Sequence, residues 1–297
     1  MSSGCYFPPA VRVVTIPKKA GGKRLLGIPT VGDRIAQTVV KLIMEPKIEP
    51  IFLPDSYGYR PNKSGLDAIG VTRERCWKYD WILEFDIKGL FDNLSHELLM
   101  KAVRKHVTEP WIILYVERWL KAPMQQSDGS LLERSRGTPQ GGVISPVLSN
   151  LFLHYVFDTW MQRHYPEIKW CRYADDGLAH CQTLQQAETL LQELKQRFAE
   201  CELELHPDKT QIVYCKDQKY TDYPKKSFNF LGYTFRARRS INGRNNQVFT
   251  GFLPAVSKEA LKSMRAKVKQ SNIRNRTELS LLDIAQMFNP ILQGWIN

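Results

Sequence analysis

The pattern of apolar and polar positions along this chain predicts a protein that mixes helices with short strands. Apolar residues recur at helical spacing in eight stretches. These predicted helices run from Asp33 to Ile43, from Gly65 to Trp77, from near Ser95, from Pro110 to Lys121, from Val147 to about Gln162, from Leu184 to Cys201, from Ser257 to about Gln270 and from Ser280 to the end. Runs of β-forming residues lie between them, notably the nearly continuous apolar run Trp81–Ile87, the strand, turn and strand of Glu202–Tyr214 and the alternating aromatic segment Phe228–Phe235.

A basic hairpin is predicted between Arg12 and Pro29. β-Forming residues flank the turn segment Ala20–Gly22. The tip carries four cations, Lys18, Lys19, Lys23 and Arg24. Such a tip is either a solvated sheet edge or a cradle for a triphosphate, and the pattern alone leaves both interpretations open.

A second predicted hairpin, Arg172–Gly177, places the adjacent acids Asp175 and Asp176 at its turn. An isolated acidic turn is usually a solvated hairpin tip. Adjacent carboxylates repel each other unless a cation lies beside them, so the pair could instead hold a divalent metal together with a third carboxylate. Asp86 is the candidate, because a carboxylate near the end of an apolar strand is costly to bury without a cation.

Two polar loops also have a plain and a functional interpretation. The turn Tyr57–Ser64 combines aromatics with cations, and Tyr59 and Arg60 could contact the bases and phosphates of a template, although tyrosines in turns are more often packing anchors.

The loop Gly137–Pro146 runs into the helix predicted from Val147. Its glycines permit close backbone approach, and the helix N-terminus favours a nearby anion or sugar-phosphate. A simple connecting loop is the alternative.

Composition narrows the classes of function. The chain has 297 residues, of which 43% are hydrophobic, and contains no apolar run near twenty residues. Its start has no basic region leading into an apolar one, so neither a membrane span nor a signal peptide is predicted. The six cysteines are far apart and lack a Cys-x-x-Cys pair, which argues against a zinc site or disulfide framework and favours a reducing compartment.

The formal net charge of +12 is concentrated in one C-terminal segment. Residues 216–276, here called the basic segment, contain fifteen Lys or Arg and three acids, whereas the rest of the chain is balanced. A solvated surface is the plain interpretation. This concentration favours instead a track for a polyanion, with nucleic acid as the foremost candidate.

The order of these features resembles the reverse transcriptases encoded by bacterial group II introns. The motifs that carry the resemblance are the basic hairpin, the Phe85-Asp86 strand, the Pro139-Gln140-Gly141 loop, the Tyr173-Ala174-Asp175-Asp176 hairpin, the Lys209 strand and the Phe230-Leu231-Gly232 strand. The resemblance covers Tyr6 to Asn297 and implies an α+β, right-hand polymerase with an antiparallel, ferredoxin-like palm sheet packed on helices. The implied divisions are fingers 1–80, palm 81–107, insertion helices of the fingers and palm 108–136, palm 137–253, and partial thumb or start of the maturase region 254–297.

The resemblance also implies a reaction and its catalytic residues. The reaction is RNA-directed DNA synthesis, in which two Mg²⁺ ions, or Mn²⁺ in their place, promote transfer of a deoxynucleotide to a primer 3′-hydroxyl. Asp86, Asp175 and Asp176 match the catalytic carboxylates. The Ile87 carbonyl is expected to help hold the ions, and Lys209 matches the lysine proposed to protonate the leaving pyrophosphate.

Five further positions match residues that contact the incoming nucleotide. Arg12, Lys18 and Arg24 match the fingertip cations that hold the triphosphate. Phe91 matches the aromatic under the sugar, where a 2′-hydroxyl would clash, and Gln140 matches the glutamine that touches the nucleotide. The resemblance therefore predicts deoxynucleotides as substrates.

The resemblance assigns the remaining partners. Leu231 and Gly232 resemble the primer grip, and the basic segment is expected to lie along the template–primer duplex. The implied partners are an RNA template, a DNA or RNA primer, dNTPs and intron RNA, in the bacterial cytoplasm and without a membrane.

The chain departs from the family pattern in three places. Family members have an N-terminal extension, whereas only Met1–Val11 precede the first hairpin here, so the contributions of that extension to template grip and template switching are not carried over. The chain ends at what resembles the entrance to the thumb or maturase region, and nothing that resembles a DNA-binding or His-Asn-His nuclease domain follows, which fits either a trimmed chain or a reduced homologue. Gly177 replaces a larger apolar residue, which predicts a looser hairpin.

The catalytic motifs leave three biological roles open. One is a group II intron reverse transcriptase, and another is the same polymerase working in CRISPR spacer acquisition or in phage defence. The third is an RNA-binding splicing cofactor without polymerase activity, which the complete set of Asp86, Asp175 and Asp176 disfavours as the sole function.

Overall fold

The computed structural model describes residues 4–17, 22–216, 222–241, 243 and 246–296. Its helices are α1 (Val31–Ile48), α2 (Gly65–Lys78), α3 (Leu90–Asn93), α4 (His96–His106), α5 (Pro110–Lys121), α6 (Ser145–Leu153), α7 (Thr159–His164), α8 (Leu184–Glu200), α9 (Lys258–Gln270) and α10 (Leu281–Ile296). A π-helical turn, His154–Asp158, joins α6 to α7. Short 3₁₀ turns lie at Glu49–Ile51 and Ile273–Asn275. Within the described ranges, none of the helices combines the length and the apolar character that crossing a bilayer requires.

The strands form three sheets. They are β1 (Val11–Pro17), β2 (Lys23–Ile28), β3 (Trp81–Asp86), β4 (Met124–Gln125), β5 (Leu131–Leu132), β6 (Lys169–Tyr173), β7 (Asp176–Cys181), β8 (Gln211–Tyr214), β9 (Ser227–Phe230), β10 (Tyr233–Ile241) and β11 (Val248–Val256). The strand orders are β2-β1-β4-β5, β6-β7-β3-β8 and β11-β10-β9. In the sheet β6-β7-β3-β8, called here the central sheet, all neighbouring strands are antiparallel.

The central sheet is covered on both faces, which explains why β3 is an almost unbroken apolar run. Leu83 and Phe85 point into the larger core, which also contains side chains of α6 and α8. Ile82 points the other way, into a second core with Phe228 and Phe235, whose rings stack 4.7 Å apart. Antiparallel sheets packed on helices confirm the predicted α+β class.

The basic hairpin forms as predicted, with β1 and β2 paired from Arg12 opposite Ile28 to Pro17 opposite Lys23. Lys18 and Lys19 lie outside the described residues. Helix α1, which follows the hairpin, begins earlier than the sequence pattern predicted.

The start of α1 is defined by Thr30, not by Asp33. The Thr30 hydroxyl accepts a hydrogen bond from the Asp33 amide at 3.1 Å, so Asp33 is in the first helical turn. The Asp33 carboxylate is buried and accepts hydrogen bonds from Tyr6 Oη at 2.7 Å and Trp119 Nε1 at 3.1 Å. Pro46 does not end the helix, which continues to Ile48.

Two predicted strands were wrong in detail. Phe228–Phe235 is not one strand but the hairpin β9–β10, closed by a two-residue turn at Leu231 and Gly232. Both turn residues have positive φ, 49° and 82°, as the twist of a tight hairpin requires. The first strand predicted within Glu202–Tyr214 is reduced to an isolated bridge between Leu205 and Ile87, because the chain here only crosses the end of β3.

Candidate active site

Three carboxylates meet at one end of the central sheet. Tyr173 pairs with Asp176 across the β6–β7 hairpin, which leaves Ala174 and Asp175 as its two turn residues. Ala174 has φ 56° and is buried. On the other side of β7, Asp176 pairs with Asp86, the last residue of β3. The acidic turn therefore receives its third carboxylate from the strand expected to supply it.

Negative charge accumulates at this end of the sheet. Burial, followed by the charges of Asp175 and Asp86, raises the pKa of Asp176 to about 7. The pKa of Asp175 is raised by burial and by Asp86. Lys209 Nζ donates to Asp86 Oδ2 at 2.6 Å. Burial lowers the pKa of Lys209, but the hydrogen bond to Asp86 and the three carboxylate charges outweigh it, so the pKa is raised overall.

The residues present fit a divalent cation. Carboxylate oxygens are the preferred ligands of Mg²⁺ and related hard ions. Burial, and after it the neighbouring carboxylates, raises the pKa values of Asp175 and Asp176, and a bound cation would relieve this charge deficit. In the part of the chain that the structure describes, no three acidic, histidine or cysteine side chains already form a ready metal site. Lys209 is bonded to Asp86, one of the expected ligands. The metal role of Ile87, which is buried and bridged to Leu205, stays a prediction.

Gly177 makes the catalytic hairpin tighter, which corrects the expectation of a looser one. Gly177 lies opposite Phe85 in the β3–β7 pairing. A Cβ at Gly177 would come within 2.6 Å of three ring carbons of Phe85. The ring thus occupies the space that a larger side chain would need, and it packs 5.0 Å from the ring of Phe157 in the larger core.

The basic hairpin reaches the active site through Gln140. Arg24 Nε donates to Gln140 Oε1 at 2.5 Å, and Gln140 Nε2 donates to Asp92 Oδ2 at 3.0 Å. The Gly27 amide also donates to the Gln140 carbonyl at 2.9 Å. The structure therefore brings together two of the residues expected to contact the nucleotide. Arg12 is exposed on β1.

The rings of Phe91 and Tyr59 pack edge to face beside the acidic turn. Their ring centroids lie 6.5 Å apart at an interplanar angle of 75°. Phe91 is in α3, where its carbonyl accepts from the Thr138 amide at 2.7 Å. Burial and then the charge of Asp175 raise the pKa of Tyr59. Tyr59 thus lies near Asp175 at the acidic end of the central sheet.

Arg60 is arranged as a structural residue, which argues against the predicted template contact. Its side chain is 7% exposed. The guanidinium donates to Glu49 Oε1 at 2.8 Å and to the carbonyls of Leu53 and Ser56, both at 2.7 Å. It also lies 5.3 Å from the ring centroid of Phe52. These contacts consume the donors that a phosphate would need.

The predicted primer grip directly follows β9, a strand that lines a cavity next to the carboxylates. The Gly232 carbonyl accepts from the Ser257 amide at 2.9 Å, which joins the β9–β10 turn to the start of α9. The cavity has a volume of about 340 Å³. Its lining includes Asp86, Asp176, Lys209, Gln211 and residues 227–230 of β9. The roles of Leu231 and Gly232 stay predictions.

Sequence reasoning missed Glu84, which lines the same cavity. Gln211 Nε2 donates to Glu84 Oε2 at 2.5 Å, and burial raises the pKa of Glu84 to about 7. The alternation of β3 was the available signal, because residues 84 and 86 must share one face of the strand. Arg172, which lies directly before the motif, was also missed and is fully buried.

Comparison with known proteins decides the family. Residues 16–235 match the family described as reverse transcriptase (RNA-dependent DNA polymerase). This chain belongs to the reverse transcriptase family. Residues 261–297 of this reverse transcriptase match the group II intron, maturase-specific domain, which places it among the group II intron type.

Its relatives agree with this assignment. Protein YkfC of Escherichia coli (strain K12) is 33% identical over 291 residues, covering 84% of this chain and 72% of YkfC. Group II intron-encoded protein LtrA of Lactococcus lactis subsp. cremoris is 36% identical over 155 residues, or 52% of this chain. The alignment spans 26% of the length of LtrA.

Solved telomerase structures share the fold. Telomerase from Candida albicans, solved with a fragment of telomeric RNA, superposes with a TM-score of 0.60 at 14% identity, covering 84% of this chain and 46% of that one. Apo telomerase from Candida tropicalis, truncated from its C-terminal domain, gives 0.59 at 13% identity, covering 81% and 55%. At such low identity the likeness concerns the right-hand polymerase fold alone.

Proposed function

We propose that this reverse transcriptase extends a primer with deoxynucleotides on an RNA template. The observation that carries the proposal is the meeting of Asp86, Asp175 and Asp176 at one end of an antiparallel sheet, beside Lys209. When bound there by the three carboxylates and the Ile87 carbonyl, two Mg²⁺ or Mn²⁺ ions would activate the primer hydroxyl and neutralise the leaving pyrophosphate.

The side chains around the carboxylates have complementary tasks. Lys209 is a cation at the catalytic end of the sheet and donates the proton that the leaving pyrophosphate takes up. Arg24 and Gln140, already hydrogen-bonded to each other, bind the triphosphate and orient the nucleotide, with Arg12 and Lys18 as further cations of the same hairpin. The residues of this chain thus bind the triphosphate, orient the nucleotide and donate one proton to the leaving pyrophosphate.

The paired rings of Phe91 and Tyr59 support deoxynucleotides as the substrate. Phe91 is 9% exposed, so its ring cannot easily retreat from a 2′-hydroxyl placed against it. The 6.5 Å contact with Tyr59 restrains the ring from the other side. A ribonucleotide would have to displace one of these two rings.

The template–primer duplex is proposed to lie along the basic segment, with Leu231 and Gly232 holding the primer. Arg236 and Arg239 are exposed on β10, and α9 is also basic. Under this proposal residues 1–80 are fingers, 81–107 and 137–253 palm, 108–136 insertion helices, and 254–297 the start of the thumb or maturase region. Bacterial cytoplasm is the proposed location, in line with the bacterial relatives and the cysteine pattern.

A second, compatible function is binding of intron RNA to assist splicing. The match of residues 261–297 to the maturase-specific domain supports it. Salt-dependent binding of group II intron RNA, retained in Asp175→Ala, would separate this function from synthesis.

Primer extension tests the polymerase directly. Wild type, Asp175→Ala, Phe91→Ala and the surface control Asp128→Ala are compared on an RNA template with Mg²⁺ or Mn²⁺ and with deoxy- or ribonucleotides. Extension is expected with deoxynucleotides in wild type and Asp128→Ala, and is lost in Asp175→Ala. Phe91→Ala is expected to gain ribonucleotide use. Tight RNA binding without any extension by the wild type would refute polymerisation and leave the splicing function.

A further inference from the structure

Arg172 is a fully enclosed cation directly behind the catalytic turn. Its exposed fraction is 0%, and all five N–H groups of the guanidinium have an acceptor. Nε and Nη2 donate to the two carboxylate oxygens of Asp158 at 2.7 and 2.6 Å. Nη2 also donates to Ser56 Oγ at 2.8 Å, and Nη1 donates to Asn150 Oδ1 at 3.1 Å and to the Ala174 carbonyl at 3.2 Å.

These acceptors come from separate parts of the active site. Ala174 is the first residue of the catalytic turn and directly precedes Asp175. Ser56 lies three residues before Tyr59, on the loop that presents the Tyr59 ring to Phe91. The other two, from α6 and the π-helical turn, belong to the helix that follows the Pro139-Gln140-Gly141 loop. One side chain therefore contacts the catalytic turn, the Tyr59 loop and the helix that follows the Pro139-Gln140-Gly141 loop.

Backbone contacts fix the Tyr59 loop against the same hairpin. The Tyr57 amide donates to the Arg172 carbonyl at 2.8 Å, and the Arg172 amide donates to the Asp55 carbonyl at 3.0 Å. Asn150 Nδ2 donates to the Gly58 carbonyl at 2.6 Å. A Cβ at Gly58 would lie within 3.1 Å of three backbone atoms of residues 173–174. The loop and the catalytic turn therefore cannot shift independently.

Stability alone does not account for this arrangement. A buried ion pair often contributes no more than well-packed apolar side chains of the same size, because both charges lose their hydration. What apolar residues could not reproduce is the fork of donors that reaches Ala174, Ser56 and Asn150 together.

We propose that Arg172 is a positioning residue that sets the catalytic turn and the Tyr59 loop as one unit, and so determines both the rate of nucleotide addition and the preference for deoxynucleotides. The inference rests on the proposed polymerase function. It concerns geometry, since Arg172 is shielded from the substrate by Ala174 and the loop.

Arg75, in helix α2, offers a matched control because it contacts the same hairpin and the same loop. Its Nη2 donates to both carboxylate oxygens of Asp55 at 2.8 and 2.9 Å, and its Nη1 donates to the Trp170 carbonyl at 2.5 Å. It therefore also joins β6 to the loop by a bidentate ion pair, but it does so at the far end of β6 from the catalytic turn. Arg75→Lys removes the same fork geometry without touching Ala174.

The test compares Arg172→Lys with Arg75→Lys in single-turnover extension, with active sites titrated by primer–template. Lysine keeps the charge opposite Asp158 but cannot bond Ala174, Ser56 and Asn150 at once. We expect kcat with dNTPs to fall on the order of a hundredfold in Arg172→Lys, because small misplacements of reacting groups have effects of that size. The ratio of kcat/KM for dNTP over rNTP is expected to fall about tenfold as the Tyr59 loop loosens. Arg75→Lys should keep both values within about twofold of wild type.

The ratio of kcat/KM for dNTP over rNTP distinguishes a positioning role of Arg172 from an effect on folding. A merely unstable enzyme has fewer active molecules, which lowers the rates with dNTP and rNTP by the same factor and leaves their ratio unchanged. An unchanged ratio in Arg172→Lys, or an equal loss in Arg75→Lys, would overturn the proposal. Since wild type is measured in the same assay, failure of the polymerase itself would be seen separately.

A second variant removes the buried charges together. Arg172→Met, Asp158→Leu and Ser56→Ala combined replace the ion pair and its hydroxyl partner with apolar side chains. Its melting temperature is expected within a few degrees of wild type. Slow extension and a reduced deoxynucleotide preference in this folded protein would support the proposal, and wild-type kinetics would refute it.

Discussion

The two hairpins that meet at the active site are held in opposite ways. The β6–β7 hairpin is enclosed, with Arg172 0% and Ala174 5% exposed, and is hydrogen-bonded on both sides. The β1–β2 hairpin is open, with Ile16 40% and Leu25 50% exposed. The hydrogen bonds between its described residues and the Pro139-Gln140-Gly141 loop all involve Gln140.

The difference suits the tasks proposed for the two hairpins. Carboxylates that position metal ions must stay within a fraction of an ångström of the reactive geometry, which requires an enclosed support. Cations that bind a triphosphate must also let pyrophosphate leave after each addition. A hairpin with few contacts to the palm can close and open without disturbing the carboxylates.

Removing charge from the enclosed hairpin should have the largest effect. Asp175→Asn is expected to lower kcat by a factor on the order of a thousand, because the charge stabilisation that bound metal provides amounts to several kcal/mol. The melting temperature should stay the same or rise, because the substitution relieves repulsion with Asp86 and Asp176. Thermal melts and primer extension measure the two effects, and a large loss of stability would contradict the charge deficit described for this site.

Changing the open hairpin should affect binding instead of the chemical step. Arg24→Ala is expected to raise KM for dNTPs roughly tenfold to a hundredfold, as hydrogen bonds to charged groups contribute about 1.5–3 kcal/mol. The melting temperature should not change, because Arg24 is exposed. Lys23→Ala, whose side chain alternates to the other face of β2, is the matched control and should change KM by about twofold or less.

Two arginines test whether an enclosed cation and an exposed cation have different roles. Arg60→Gln is expected to lower the free energy of unfolding by about 2 kcal/mol, because it leaves Glu49 and two carbonyls without their donor. Its affinity for template–primer should be unchanged. Arg236→Gln, at an exposed position of β10, should show the reverse, with normal stability and a salt slope of binding reduced by about one. A loss of template affinity in Arg60→Gln would restore the template role.

The smallest expected effect is the response of the enclosed region to mild acid. Burial lowers the pKa of His180 on β7 to about 3 and that of His154 in the π-helical turn to about 4. The unfolded chain takes up these protons near pH 6.5 and the folded chain does not, so stability present above that pH is lost on acidification. Between pH 6.5 and 5.5 each histidine should lower the free energy of unfolding by about 1 kcal/mol.

Denaturant unfolding across that pH range tests this prediction. His180→Leu should remove the share of His180, about 1 kcal/mol between pH 6.5 and 5.5, whereas the share of His154 and the opposite shares of Glu84 and Asp176 are the same in both proteins. Equal slopes in wild type and His180→Leu would show that His180 already takes up a proton in the folded protein.

The sequence was informative where the candidate site residues lie in one turn or at the end of one strand. Asp175 and Asp176 are neighbours in a turn, and Asp86 ends an apolar strand, so the pattern alone could place them. Gln140 and Arg24, although 116 residues apart, were both found through the resemblance and lie in contact.

The sequence was uninformative where the role of a residue depends on how the chain folds around it. Arg60 was interpreted as a nucleic-acid contact, because the sequence does not reveal that the folded loop brings Glu49 and the carbonyls of Leu53 and Ser56 around its guanidinium. Arg172 looked like an ordinary residue of an edge strand, since Asp158, Asn150 and Ser56 meet it only through tertiary packing. Gly177 was judged by its own size, whereas the ring of Phe85 across the strand decides how tightly it packs.

The π-helical turn between α6 and α7 has a consequence for how insertions and deletions affect this protein. Such a turn holds one residue more than an α-helical turn, so everything after it is rotated by about 100° relative to an uninterrupted helix. The turn ends at Asp158, the residue that meets Arg172. Deleting one residue from within this turn would restore a regular helix and leave the later residues in their present direction, whereas inserting one residue into α6 would rotate that carboxylate by about 100° and turn it away from its arginine. A single-codon insertion outside the acidic turn would thereby reach the catalytic centre without changing any of its motifs.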